Sequence, residues 1–185
     1  MLAVLGASCS TDEASINNPA NAPQTEASAP KASTARGSFW ADAIAKVNPD
    51  GSTTIVADEA VLTADLEKIL DSEGNTTTLT SLKVLKKINV NNPQDATYAL
   101  IGSNNAGISI GVFLAINSDY LYLDSGYGYT GDNEVFSTSC RGCSTGCNLM
   151  YITVGGKKVF YCDENVCGNF CSKNETTSVF THAGE

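Results

Sequence analysis

The sequence predicts an α+β fold, with one main helix packed on an antiparallel sheet of about four strands, followed by a small disulfide-stapled β-hairpin subdomain. Three observations predict it. A single amphipathic helical stripe lies between residues 58 and 72, strands with period-two alternation follow it at short turns, and six of the seven cysteines crowd into positions 140–171. The chain divides into residues 1–9, a leader ending in a cysteine; 10–38, a polar tether; 39–137, the α+β domain; 138–175, the cysteine-rich hairpin; and 176–185, a flexible tail.

The leader has an apolar run, Leu2-Ala3-Val4-Leu5, then Gly6-Ala7-Ser8 and Cys9. Small residues ahead of a cysteine suit a peptidase that needs a narrow extended segment. This order resembles the lipobox of bacterial lipoproteins, in which the cysteine is acylated and becomes the mature N-terminus. It departs from the pattern at Gly6, where a lipobox usually carries leucine, and it is only part of a full signal with a basic n-region and an apolar h-region. Asp12 and Glu13, close behind the cysteine, resemble the export signal of surface-exposed lipoproteins in Bacteroidetes-type bacteria. The resemblance implies a lipid anchor at Cys9 in a bacterial outer membrane, surface-exposed or otherwise periplasm-facing. One acyl chain binds a membrane marginally, whereas two or more hold firmly. No other stretch of the sequence approaches the ~20 apolar residues of a spanning helix.

Residues 10–38 are rich in Ala, Ser, Thr, Asn and Pro, with Pro19, Pro23 and Pro30. Such a composition buries too little apolar surface to offset chain entropy, so this segment reads as a disordered tether. The net charge of −9 argues against nucleic acid as a partner. The one histidine, His182, falls in the C-terminal tail, which disfavours a histidine-based triad or a His-rich metal site. No catalytic constellation stands out, and no cofactor is implied.

The segment Phe39–Val47 fits helix or strand: Trp40, Ile44 and Val47 are at helical spacing, with Ser38 as a possible cap. Asn48-Pro49-Asp50-Gly51 is a turn, with Pro presetting φ. Thr53-Thr54-Ile55-Val56 is β-branched and reads as a strand. In the clearest helix, Asp58 to about Ser72, Asp58 caps the first turn and Leu62, Leu66, Ile69 and Leu70 form the buried stripe. Asp65, Glu67, Lys68 and Asp71 read as its solvated face, and Gly74 as its stop. Leu82 to Val90 is a strand with a broken alternation, ended by Asn91-Asn92-Pro93, and Tyr98 to Ile101 is a short one. In the best strand, Ile108, Ile110, Val112, Leu114 and Ile116 alternate with Ser109, Gly111, Ala115 and Asn117. Asn117-Ser118-Asp119 turns it, and Tyr120 to Leu123 returns. Short turns favour an antiparallel meander. The layout is similar to cystatin-like and PepSY-like chains in topology alone, so no function transfers.

Ser125 to Asn133 holds Tyr127 and Tyr129 among glycines. Such a loop suits contacts, because tyrosine offers area at low entropic cost. Asp132, Asn133 and Glu134 lack the spacing of an EF-hand.

The cysteines run Cys140, Cys143, Cys147, then Cys162, Cys167, Cys171. Between the triplets, Tyr151–Val154 and Val159–Tyr161 flank Gly155-Gly156-Lys157-Lys158, a hairpin that sets the triplets side by side. An even count in an exported segment reads as three structural disulfides. Sequence leaves fifteen connectivities open, and the hairpin favours bridges between the triplets. Two alternatives accompany this. Four of the thiols could bind zinc, although the spacing departs from paired C-x2-C knuckles and two thiols would be left over. Cys140-Arg141-Gly142-Cys143 could be a redox pair, although no helix follows it. Taken with Cys9–Glu13, the segment Cys140–Cys171 resembles surface lipoproteins of Bacteroidetes-type bacteria that end in a cysteine-rich hairpin.

The sequence thus leads to a lipid-anchored, non-enzymatic module that binds an envelope protein or a glycan. Tyr127, Tyr129, Lys157 and Lys158 are the candidate contacts, and a thiol-redox protein or a cysteine-ligated metal module is the alternative.

Overall fold

The structure, a computed structural model, describes residues 39–124, 134–144, 147–164, 167–168 and 170–179. A 3-10 turn at Phe39–Ala41 leads into β1 (Ala45–Val47) and β2 (Thr53–Ile55), then α1 (Glu59–Ser72). The remaining strands are β3 (Ser81–Asn89), β4 (Asn92–Ser103), β5 (Ile108–Asn117), β6 (Tyr120–Leu123), β7 (Glu134–Arg141), β8 (Asn148–Val154), β9 (Lys157–Asp163) and β10 (Ser172–Val179).

This corrects the expected α+β architecture. The fold is mostly β, with ten strands in one large mixed sheet and a single α-helix among the described residues. A helix packed on four strands, as in the cystatin-like or PepSY-like layout, is not what forms. The strand order is β2-β1-β6-β5-β4-β3-β8-β9, with β7 paired to β5 and β10 paired to β7. Every pairing is antiparallel except a single parallel contact between β3 and β8, at Asn89 and Tyr151. β7 runs across residue 138, where the sequence reading changes from one unit to the next.

The centre of the sheet explains the difference. β5 pairs with β4 along one edge. Its other edge is shared, Ile108–Gly111 taking β7 and Leu114–Asn117 taking β6. On one face Leu100, Ile110, Val112 and Leu114 pack against Leu62, Leu66, Ile69 and Leu70 of α1. On the other face Ala99, Ile101 and Phe113 pack against Leu149, Tyr151 and Phe160 of the β8–β9 hairpin. The face opposite the helix is therefore a second core. The small residues there make room for the hairpin: a Cβ on Gly111 would lie 3.0 Å from Leu149 Cδ1 and 3.3 Å from Phe160 Cζ. Each fully buried side chain of this kind stabilises by roughly 1.5–3 kcal/mol, an upper figure.

Local chemistry sets the elements. Asp58 caps α1 as its sequence suggests, accepting from the backbone N–H groups of Ala60 (2.9 Å) and Val61 (3.3 Å). Phe39–Val47 resolves into a turn and a strand, which buries Trp40 and Ile44. The expected solvated face of α1 needs correction at Asp65, which is buried. Its carboxylate accepts the Trp40 indole N–H at 3.0 Å and pairs with Lys68 at 3.1 Å. β4 starts earlier than expected, at Asn92, because Val90 and Asn91 alone make the turn from β3. Pro93 sits at its exposed start, where a missing N–H is tolerated. Thr53 Oγ1 donates to the Val84 carbonyl at 2.8 Å, linking β2 to β3.

Candidate functional site

The two cysteine triplets meet as three ordered bridges: Cys140–Cys162, Cys143–Cys167 and Cys147–Cys171. Strand alternation explains the first. Along β7, Val135 joins the core under α1 while Cys140 faces the hairpin, so Cys140 reaches Cys162 on β9. The turn between β8 and β9 is Gly155-Gly156, both at positive φ (57° and 79°). That is the geometry a two-residue hairpin turn needs to match strand twist. All three bridges join one triplet to the other, as the intervening hairpin suggested.

The bridges are packed closely. Cys140, Cys147 and Cys167 are buried, and Cys143, Cys162 and Cys171 pack against the same cluster. Cys147 Sγ lies 3.6 Å from Cys167 Sγ, so the second and third bridges touch. The Cys143 backbone N–H donates to Cys167 Sγ at 3.2 Å. Gly142 is required beside them, since a Cβ there would overlap Cys147 Sγ.

Cys140 and Cys143 are in different bridges, so the C-x-x-C segment does not close on itself as the redox alternative needs. Of the hairpin-tip lysines, Lys157 is exposed. Lys158 is engaged: it pairs with Asp124 at 2.7 Å and sits 6.0 Å above the Phe113 ring. Tyr127, Tyr129, Cys9 and His182 lie outside the described residues.

Three features were not singled out from sequence. Tyr120 and Tyr122 stand two apart on β6, hence on one face, and both are half-buried. Register places Tyr120 beside Lys46 and Asn117, and Tyr122 beside Ala115, on the same sheet face as Phe113. Lys46 Nζ is 5.7 Å from the Tyr120 ring centre. The readable signal was the Tyr-x-Tyr alternation itself. Second, Phe170, between Cys167 and Cys171 in sequence, is 80% exposed.

Third, a polar cluster fastens the hairpin to the β3–β4 turn. Asn89 Nδ2 donates to Asp95 Oδ2 (2.7 Å) and Thr153 Oγ1 (2.9 Å), and Thr153 donates to Asp95 at 3.0 Å. Those hydrogen bonds from Asn89 and Thr153 hold the Asp95 carboxyl below its usual value. Burial, and then the nearby Asp95 charge, push the Tyr151 phenol up to about 12. These groups are spaced too far apart in sequence for any motif to reveal them.

No known protein family, curated protein or solved structure matches the chain.

Proposed function

We propose that this protein is an extracytoplasmic lipoprotein, held to a bacterial outer membrane through acylated Cys9, and that its rigid β domain acts as a binding or structural module at the cell surface. The observation that carries the reading is the set of three bridges between the two cysteine triplets. Disulfides in such number persist in oxidising compartments and are rare where thiols are kept reduced. The lipobox-like Cys9 and the polar residues after it provide the route to such a compartment. No helix among the described residues is long and apolar enough to cross a membrane.

The contact surface is the row Lys46, Tyr120 and Tyr122, together with the hairpin tip at Lys157 and the exposed Phe170. Tyr127 and Tyr129, in the segment that follows β6, extend the same chemistry. Tyrosines and lysines in this arrangement suit a glycan or a neighbouring envelope protein, since each ring gives apolar area with a polar end.

Fractionation of cells expressing the wild-type chain and Cys9→Ser tests the anchor. The wild-type protein is expected in the outer-membrane fraction, with fatty acyl mass on Cys9 and all six distal cysteines bridged, and the variant in a soluble fraction. Wild-type protein recovered from the cytosol without lipid, and with its distal cysteines reduced, would overturn the proposal.

A further inference from the structure

The second and third bridges form a single sulfur cluster. Cys147, Cys167 and Cys171 have their Sγ atoms within 4.8 Å of one another; Cys143 stands outside that set and is tied to it as the bonded partner of Cys167. In sequence these four are Cys143-x3-Cys147 and Cys167-x3-Cys171, one residue wider than paired C-x2-C knuckles and inside the C-x2–4-C range of structural zinc sites. Cys147 and Cys167 are buried, and Gly142 brings the backbone against the sulfurs.

We propose that Cys143, Cys147, Cys167 and Cys171 are a redox-linked metal centre: in the oxidised protein they are two abutting disulfides, and after reduction they hold one divalent soft metal ion, zinc in type, as a tetrathiolate. A tetrahedral Zn–S bond of about 2.3 Å sets neighbouring sulfurs roughly 3.8 Å apart. The contact between the bridges, 3.6 Å from Cys147 Sγ to Cys167 Sγ, already has that spacing. Breaking each S–S bond lets the bonded sulfurs separate to the same distance, with small side-chain rotations. The Cys143 N–H that points at Cys167 Sγ is the kind of backbone donor that stabilises a metal-bound thiolate.

The chemistry balances. Two equivalents of a dithiol reductant supply four electrons and four protons, so that two protein disulfides become four thiols and each dithiol becomes its own disulfide. Binding the ion then releases the four thiol protons, in keeping with the need for deprotonated ligands. The remaining bridge, Cys140–Cys162, stands apart: Cys162 Sγ lies beside the carbonyls of Ser139 (3.9 Å) and Ser172 (3.6 Å). Neither of its sulfurs belongs to the group that lies within 4.8 Å. The metal-holding state forms only where a dithiol reductant is supplied; in the oxidising compartment proposed above the same four sulfurs stay as two disulfides.

The test uses the full chain, reduced with a dithiol that is then removed, and titrated anaerobically with cobalt(II), whose visible spectrum reports a tetrahedral thiolate shell. The reduced protein is expected to take up one ion per chain with four-sulfur bands and to regain its near-ultraviolet circular dichroism. Zinc should displace the cobalt, and unreduced protein should show no bands. The double variant Cys140→Ser/Cys162→Ser is expected to keep the spectrum, whereas Cys147→Ser/Cys171→Ser loses it. Uptake of no ion or of several ions, bands that need Cys140 or Cys162, or a reduced chain that stays unfolded with metal would each overturn the proposal.

Discussion

Phe160 of β9 lies flat on Phe113 of β5, their ring centroids 3.6 Å apart and their planes 2° from parallel. Tyr151 meets the same Phe113 ring edge-on at 5.9 Å. These contacts make the hairpin the second cover of the central sheet rather than an appendage. Phe160→Ala is expected to lower stability by about 3–5 kcal/mol, the usual loss for a large aromatic removed from a core. Urea unfolding with the disulfides intact measures it. A loss of only a few tenths would mean that the hairpin does not seal that face.

Gly111→Ala tests the closeness of that cover from the other side. The added methyl would meet Leu149 and Phe160 at 3.0 and 3.3 Å. Overpacking of this kind is expected to cost about 1–3 kcal/mol. An unchanged or raised unfolding midpoint would show a gap between the layers.

Glu73, at the end of α1, accepts from Ser139 of β7 and Thr176 of β10, each at 2.5 Å. It is a polar tie between the helix and two strands. Glu73→Ala is expected to remove about 1–3 kcal/mol and to speed amide hydrogen exchange in β10. Glu73→Gln, which keeps an acceptor, should lose less. Equal losses in the two variants would argue that the charge and the second acceptor oxygen, which Gln lacks, carry the tie, and not the side chain's shape.

Tyr151 should make the fold sensitive to alkali. An unfolded tyrosine loses its proton near pH 10, whereas the folded one holds it to about 12. Between those values the folded state binds the extra proton, so stability is full below pH 10 and falls as pH rises through the interval. In Tyr151→Phe this part of the slope disappears. Thermal midpoints measured from pH 9 to 12 on both proteins decide it, and parallel curves would refute the assignment.

Much of the chain was legible because local chemistry and final environment agree. Asp58 caps α1, all four residues of its stripe, Leu62, Leu66, Ile69 and Leu70, face the core, and Ile110, Val112 and Leu114 alternate onto the helix side of β5. Gly155-Gly156 marks the hairpin and so the bridging between triplets. What escaped notice depends on partners distant in sequence. Ser109, Gly111 and Ala115 look like a solvent-facing row, yet Gly111 is small because the hairpin packs on it. Phe113, a large aromatic in that same row, was the signal that this face is covered.

β7 and β10 were hidden for a different reason. Ser-Thr-Ser-Cys and Ser-Lys-Asn-Glu-Thr-Thr-Ser carry little hydrophobic pattern, and β10 is largely exposed. Their strand conformation comes from an eight-residue antiparallel pairing with each other. Asp65 read as a surface acid because nothing local names Trp40, 25 residues earlier, as its partner. The candidate site divides the same way. The six cysteines were visible from spacing, whereas the row of Lys46, Tyr120 and Tyr122 exists only once β1 and β6 pair.

Peptide mapping of the unreduced protein by mass spectrometry addresses the central claim, a β-hairpin locked as the second layer of the sheet. The account predicts three linked peptide pairs, Cys140 with Cys162, Cys143 with Cys167 and Cys147 with Cys171, with no free thiol among the six. A bridge between Cys140 and Cys143, or any bridge within one triplet, would contradict it.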